Sequence, residues 1–145
     1  MNEHPLPALA CMCASFRRAA RSLTQQYDDA LRLAGLRATQ FTVLQALSLT
    51  GEISQGSLGE VLALDSTTLT RTLGIMRRHG WIAERRGRDR RERLLRLAPE
   101  GRDRLQRAAP HWEKAQGRVR RLLGESRWQA SLQAANQIAQ ALRKF

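Results

Sequence analysis

The chain has 145 residues, with 25 lysines and arginines against 13 aspartates and glutamates, for a net charge of +12. This length fits one compact domain and leaves little room for a separate catalytic domain. The composition, 42% hydrophobic and 26% charged, excludes disordered and collagen-like classes. No apolar stretch is long enough to span a bilayer and the first residues lack the order of a signal peptide, so we expect a cytoplasmic protein without a membrane partner.

The distribution of positive charge is more informative than its total. An excess of this size favours a polyanionic partner, although arginine-rich coding from a GC-rich gene can contribute to it. Seven of the twelve residues from Arg85 to Arg96 are arginine, whereas residues 41–64 contain no basic side chain. Such clustering suggests a surface that contacts phosphates. The alternative interpretation is a solvated charge run without a binding role.

Four helices are predicted in the first half of the chain. Apolar or small residues recur at steps of three and four over residues 9–34, which predicts one long amphipathic helix that ends near Gly35. A second helix is predicted around residues 41–50. A third helix begins after Ser54, and Asp65 is a suitable N-cap for a fourth. The third and fourth helices, separated by a tight turn, have the pattern of a helix-turn-helix.

The fourth predicted helix carries the candidate base-reading residues. Its apolar stripe is Leu69, Leu73 and Met76, and its other faces are small, hydroxylated and basic. Hydroxyl groups bond phosphates or base edges, and Arg71 can reach two guanine acceptors at once. We therefore predict major-groove contacts from Ser66, Thr67, Thr68, Thr70, Arg71 and Arg78. The alternative is an ordinary solvent-exposed face, since a pair of short helices is a weak signal.

A β-hairpin with an arginine-rich tip is predicted directly after this helix. Gly80 can end the helix, and residues 81–85 and 93–97 have the character of strands around a polar turn. Arginine suits a narrow minor groove, where negative potential is concentrated. We therefore predict DNA contacts from the tip residues Arg88, Arg90 and Arg91. Asp89 would be repelled by DNA, so we predict that it orders the wing by holding a neighbouring arginine through a charge-assisted bond.

Two further apolar stripes predict long helices toward the C-terminus. The first consists of Leu105, Ala109, Trp112, Val119 and Leu123. The second consists of Trp128, Leu132, Ala135, Ala139 and Leu142. We expect a single domain over residues 1–145, in which a DNA-reading module (36–98) is flanked by dimerisation helices (6–34 and 99–145). Each long helix has an apolar face that needs burial, which favours a homodimer over packing within one monomer.

Four short motifs identify a family resemblance. They are Leu64 to Arg71 (LDSTTLTR), Gly80 to Ile82 (GWI), Asp89 to Arg91 (DRR) and Leu97 to Gly101 (LAPEG). The chain thereby resembles the MarR family of multiple-antibiotic-resistance regulators over nearly its whole length, with Ala98 in place of the usual threonine. The resemblance implies a mainly α fold with a small β-hairpin wing. It also implies winged helix-turn-helix dimers that join through their first and last helices and bind palindromic operators, usually as repressors.

The sequence therefore predicts a sequence-specific, double-stranded DNA-binding transcriptional regulator. For many family members the resemblance implies release by a small aromatic or anionic effector, held in the apolar space between the DNA module and the dimerisation helices. We expect no enzyme activity, cofactor or metal site, because the sequence lacks nucleophile-elbow, phosphate-loop, dinucleotide and metal-binding histidine motifs. A non-sequence-specific architectural protein would explain the charge, but explains the predicted helix-turn-helix and wing less well.

The two cysteines leave one alternative function open. At a spacing of two on a helix, Cys11 and Cys13 would project to nearly opposite sides, so they could not bridge each other without unwinding it. Cys13 precedes Tyr27 by fourteen residues, similar to the peroxide-sensing branch of the family, although Arg17 stands where that branch carries another tyrosine. Thiol-based oxidative sensing through Cys13 or Cys11 is the alternative. The simpler interpretation is a buried interface residue and an incidental thiol.

Overall fold

The computed structural model describes residues 7–143, which form six α-helices and a small antiparallel sheet. The helices are α1 (Met12–Leu31), α2 (Ala38–Thr50), α3 (Gln55–Leu62), α4 (Ser66–Arg78), α5 (Pro99–Leu123) and α6 (Glu125–Ala141). The strands are β1 (Ile53–Ser54), β2 (Ile82–Arg86) and β3 (Arg93–Leu97). The predicted mainly helical fold with a wing is confirmed. Residues 1–6 and 144–145, which the predicted domain and dimerisation segments include, lie outside the described residues.

Local side-chain signals set the boundaries of the helix-turn-helix. The Ser54 hydroxyl accepts from the backbone N–H of Ser57 at 3.1 Å and begins α3. The Asp65 carboxylate accepts from the backbone N–H of Thr68 at 2.8 Å and begins α4. Gly80 adopts a left-handed φ of 70° just after α4, a conformation that glycine takes without steric cost. The predicted caps at Ser54 and Asp65 and the predicted stop at Gly80 are therefore confirmed.

The wing belongs to a three-stranded sheet rather than to an isolated hairpin. Strand β3 lies between β1 and β2, and Ile53 of β1 is paired with Leu95. The β2 strand begins at Ile82, one residue later than predicted, and β3 has its predicted bounds. We did not predict β1, because two residues are too short to show an alternating pattern. Its pairing ties the start of α3 to the base of the wing.

Buried aliphatic side chains from α2, α3, α4 and β3 form the core that holds the helix-turn-helix against the wing. Among them are Leu44, Leu47, Leu58, Leu69, Leu73, Met76 and Leu95. Helix α5 joins this core through small residues at a spacing of seven, Gly101, Ala108 and Ala115, which are all buried. Residues seven apart lie on one helix face, and small ones allow close approach of the backbones. Of the predicted stripe on this helix, Val119 is buried, and Leu105 and Trp112 are partly buried against the core.

Gly101 sets the approach of α5 to the base of the wing. The carbonyl oxygen of Trp81 accepts from the backbone N–H of Ala98 at 3.0 Å. A β-carbon at Gly101 would lie 2.0 Å from that same oxygen. Since a backbone atom cannot move aside as a flexible side chain can, only glycine lets α5 begin here. Ala98, at the N-cap of α5, supplies no side-chain cap.

The long outer helices leave apolar surface uncovered. Within the chain, α6 buries only Trp128, and Leu132 of the same helix is 44% exposed. Helix α1 buries only Leu31, while Phe16 and Leu23 are exposed. The predicted stripes on these helices are thus only partly covered within the described part of one chain. None of the helices in residues 7–143 is long and apolar enough to cross a membrane.

Candidate nucleic-acid interface

The outer face of α4 presents most of its predicted DNA-binding residues to solvent. Leu69, Leu73 and Met76 bury the opposite face, which fixes the rotation of the helix about its axis. The exposed predicted residues are Ser66, Thr67, Thr70, Arg71 and Arg78. The side chains of Arg71 and Arg78 make no hydrogen bond or ion pair with another residue in the range 7–143. They are available to an external acceptor.

Thr68 differs from its neighbours because it takes part in the cap of α4. Its hydroxyl donates to Asp65 at 2.6 Å, in addition to the backbone bond that begins the helix. These bonds, the hydroxyl bond first, hold the pKa of the Asp65 carboxyl below its ordinary value. Thr68 is half-buried and its proton is already used. Its hydroxyl oxygen remains available as a hydrogen-bond acceptor.

Gln55 also belongs to this surface, although we did not predict it from the sequence. Its side-chain amide donates to the Thr70 hydroxyl oxygen at 3.2 Å. The bond joins the first residue of α3 to the outer face of α4. A single glutamine at a helix start has no distinguishing sequence signal, because the partner lies fifteen residues away and on another helix.

The tip of the wing is ordered by backbone bonds around Asp89. Its carboxylate accepts from the backbone N–H of Arg91 at 3.0 Å, and its carbonyl accepts from the N–H of Glu92 at 3.0 Å. The expected partner, an arginine side chain, is not seen among the described residues. A short carboxylate meets the N–H two residues later before it can reach a guanidinium, which is the usual Asx turn. This geometry gives Asp89 an ordering role through the main chain.

Carboxylates hold part of the arginine cluster and leave the rest free. Arg85 forms two bonds to Glu52, with Nε to Oε2 at 2.8 Å, and this pairing holds the pKa of Glu52 below its ordinary value. Arg93 donates to Glu84 at 2.6 Å. The remaining arginines of the cluster are exposed and make no side-chain bond or ion pair to another described residue: Arg86, Arg88, Arg90, Arg91 and Arg96. The predicted tip residues are therefore among the uncommitted charges.

Glu84 connects the wing to α4. Its carboxylate lies 3.1 Å from Arg77 of α4 and 2.6 Å from Arg93 of β3, and it is only 19% exposed. The Arg93 contact with Glu84 Oε1 is a charge-assisted hydrogen bond, whereas the Arg77 contact with Oε2 is an ion pair only. Solvent screens the charge of this half-buried carboxylate only partly. Next to this triad, His79 stacks on Trp81 with ring centroids 4.5 Å apart. The recognition surface of α4 and the wing are thus held as one unit.

A small cavity lies between α1, α2 and α5, where an effector space was expected. It has a volume of about 230 Å³, and Phe41 and Trp112 stack at its wall with centroids 5.6 Å apart. Tyr27 donates its hydroxyl to Gln116 at the same site, and burial raises the pKa of this tyrosine. Among the described residues, no charged side chain lines the cavity. A larger, charged cavity lined by Arg21, with a volume of about 780 Å³, adjoins it.

The two cysteines are placed differently from the sequence prediction. Cys11 is the N-cap of α1 with an extended backbone, so only Cys13 lies on the helix, and both side chains are exposed. The expectation that they point to opposite sides of one helix is therefore wrong. Within residues 7–143 no three histidine, cysteine or acidic side chains come together as a metal site would require.

Known proteins share both the sequence and the fold of this chain. The MarR family model matches residues 36–92. The HTH-type transcriptional regulator YwoH of Bacillus subtilis is 31% identical over 83 residues, which span 57% of this chain and 61% of that relative. The structure of the Mycobacterium tuberculosis transcriptional regulator MosR in complex with DNA is 38% identical, with a TM-score of 0.81 over 90% of this chain and 95% of that one.

A more distant likeness supports the fold alone. BpsR of Bordetella bronchiseptica, whose DNA binding is regulated by 6-hydroxynicotinic acid, is 21% identical, with a TM-score of 0.80 over 94% of this chain and 98% of that one. The TM-scores of 0.81 and 0.80 show that the fold described above is shared over nearly the whole chain. The chain belongs to the MarR family.

Proposed function

We propose that this protein is a homodimeric transcriptional regulator that binds an inverted repeat in double-stranded DNA. The observation that carries the proposal is the surface formed by the outer face of α4 and the wing tip, where Arg71, Arg90 and Arg91 are exposed and uncommitted. A helix with free hydroxyl and guanidinium groups suits the major groove, and a tip with free arginines suits the minor groove beside it. The Glu84 triad holds the two at a fixed separation.

The uncovered faces of α1 and α6 support a dimer. Helix α6 has 17 residues but buries only Trp128, so most of its apolar stripe needs a partner. A second copy of the chain would cover it and would place two recognition helices on one side of DNA.

Selection of binding sequences from a randomised duplex pool, followed by footprinting, tests this function. We expect an inverted repeat with half-site centres about ten base pairs, or ~34 Å, apart. A duplex with one half-site scrambled is the control and should bind much more weakly. Protection of a single half-site by a monomer would contradict the dimer. Equal affinity for selected and random duplexes at fixed salt would instead indicate an architectural protein.

We further propose that the regulator is a repressor released by a single-ring aromatic effector in the cavity between α1, α2 and α5. The stacked pair of Phe41 and Trp112 supports an aromatic ligand, and the volume suits one ring rather than a drug-sized molecule. The uncharged lining favours the ring over an anionic group as the recognised feature. An acid group would have to reach the adjoining cavity, where the carboxylates of Asp28 and Asp29 accompany Arg21.

Benzoate and 6-hydroxynicotinate are suitable probes of this cavity. We expect one of them to raise the melting temperature and to lower operator affinity. The variant Trp112→Leu should abolish both effects. Weakened operator binding without any thermal shift, or an undiminished response in Trp112→Leu, would place the effector elsewhere.

Thiol-based sensing is a second candidate function, favoured by the exposure of both cysteines. A peroxide would oxidise one thiol to a sulfenic acid with loss of water, and the second thiol could condense with it to a disulfide. Because Cys11 lies outside the helix, such a bond would disturb only the first turn of α1. Operator binding after peroxide treatment, compared among the wild type, Cys11→Ser and Cys13→Ser, tests this candidate. Equal binding before and after treatment in the wild type would exclude it.

A further inference from the structure

We propose that Gln55 determines which base edge Thr70 recognises, by fixing the direction in which the threonine hydroxyl donates its proton. The inference rests on the proposed function, since it assigns part of the sequence preference of the same DNA-binding surface. Its basis is the bond from Gln55 Nε2 to Thr70 Oγ1 at 3.2 Å, which joins α3 to the exposed face of α4.

The hydroxyl of Thr70 makes a different bond from those of three threonines on α1 and α2. These three donate their hydroxyl proton to the carbonyl four residues earlier, at 2.8–2.9 Å: Thr24, Thr42 and Thr50. Such a bond selects one rotamer and uses the only proton of the hydroxyl. Within the described chain Thr70 makes no bond of this kind, and its oxygen accepts from Gln55 instead. The Thr70 proton is therefore still available.

The direction of that proton follows from hydroxyl chemistry. A threonine hydroxyl has one proton and two lone pairs. When the Gln55 amide occupies one lone pair, the proton turns away from α3 and toward the exposed side of α4. Thr70 then presents a donor to the groove. A donor matches an acceptor on a base edge, such as guanine N7 or O6, and not the amino group of cytosine.

Gln55 is well placed to hold this geometry. It is half-buried and is the first residue of α3, directly after the Ser54 cap that fixes the start of the helix. Without the amide, Thr70 would be free to donate to its own helix, as the three threonines above do. The donor offered to DNA would then be lost although the hydroxyl group remained.

Selection of binding sequences with matched variants tests the inference. Gln55→Met keeps the side-chain length and removes the amide oxygen and nitrogen. Thr70→Val removes the hydroxyl at nearly constant shape. We expect Gln55→Met to weaken operator binding about fivefold, which is the effect of one neutral hydrogen bond. Its affinity for random duplex should be unchanged. Both variants should lose base preference at the same position of each half-site. The double variant should be no weaker than Thr70→Val alone, because the two residues act through one contact.

Two further variants and the wild type separate the possible outcomes. Gln106→Met, an exposed exchange on α5, should change nothing. Gln55→Glu can only accept, so it should turn the Thr70 proton inward and lose the same base preference even if Gln55→Met is poorly folded. Preference lost at different positions, additive effects in the double variant, or unchanged preference in Gln55→Glu would overturn the inference. A wild-type protein that selects no sequence would refute the proposed function itself.

Discussion

At the scale of single residues, the exposed arginines are distinguished by what holds them. Arg85 and Arg93 are bound to carboxylates, whereas Arg71 on α4 makes no bond to another described residue. A guanidinium without an internal partner gives up no ion pair when it turns toward DNA. The same charge in an ion pair would first have to give up that pair.

The first prediction concerns Arg71. The variant Arg71→Ala should weaken binding to the selected operator by roughly 1–3 kcal/mol and relax preference at particular base pairs, because a base-edge contact is removed. Titration of selected and random duplexes measures this. Arg118→Ala, an exposed arginine of α5, is the matched loss of charge and should leave preference intact. Equal weakening on every sequence would mean that Arg71 contacts phosphate.

At the scale of elements, the wing is a β-hairpin whose tip is ordered by hydrogen bonds to the backbone of its own turn. Asp89 holds the turn through the Arg91 N–H, which leaves the side chains of Arg90 and Arg91 free. The base of the wing is held by the close approach of α5 at Gly101. We therefore expect changes at the tip to affect DNA binding and changes at the base to affect stability.

The second prediction concerns the tip. Replacing both Arg90 and Arg91 with alanine should weaken binding to operator and to random DNA alike. It should also lower the slope of log affinity against log salt concentration by about 0.9 for each lost phosphate contact. A charge-matched double variant, Arg118→Ala with Arg121→Ala on α5, should alter the slope much less. An unchanged slope in the tip variant would remove the wing from the account of DNA binding.

Asp89 provides the third prediction. Asp89→Ala removes a negative charge, which by itself should strengthen DNA binding. Because the carboxylate also holds the Arg91 N–H, we expect affinity to fall instead, through loss of order in the turn. Asp89→Asn, which keeps an acceptor oxygen for the N–H, should restore most of the affinity. Stronger binding by Asp89→Ala would show that repulsion outweighs ordering.

The fourth prediction concerns the base of the wing. Gly101→Ala should destabilise the fold by at least the roughly 1–3 kcal/mol typical of overpacking, because the new β-carbon meets the Trp81 carbonyl oxygen. Chemical denaturation measures the free energy of unfolding. Gly74→Ala is the control, since nothing lies near a β-carbon at that position of α4. Similar stability of the two variants would contradict this account of Gly101.

At the scale of the whole molecule, two surfaces formed by residues 7–143 remain uncovered in one chain. One is the basic face of α4 and the wing, and the other is the apolar side of α1 and α6, including Phe16 and Leu132. DNA would cover the basic face, and a second copy of the chain would cover the apolar side. An inverted repeat follows from this arrangement, because a two-fold dimer presents the same recognition helix twice.

The fifth prediction tests the apolar side. Leu132→Glu should shift the protein toward monomer, because it places a charge in the proposed interface, and should weaken binding to the full inverted repeat more than to a single half-site. Sedimentation equilibrium and titration of the two duplexes measure these effects. Gln133→Glu adds the same charge at the neighbouring position and is the control. A dimer of unchanged stability would place the interface elsewhere.

The sequence by itself determined the features that depend on interactions between residues close together in the chain. The caps at Ser54 and Asp65, the stop at Gly80 and strand β3 were predicted correctly, and β2 to within one residue, because each depends on neighbours within a few residues. The long helices were predicted from their periodicity for the same reason. The position of Thr70 on an outward face followed as well, since burial of Leu69 fixes the rotation of α4.

Only the tertiary structure decided which side chains remain available to DNA. Arg85 meets Glu52 across a separation of 33 residues, and Gln55 meets Thr70 across 15, so no local pattern reveals either bond. The two-residue strand β1 exists only because β3 lies beside it. Local sequence sets helices and turns because their bonds close within a turn of chain. The partner of a charged or polar side chain is set by the packing that brings distant segments together.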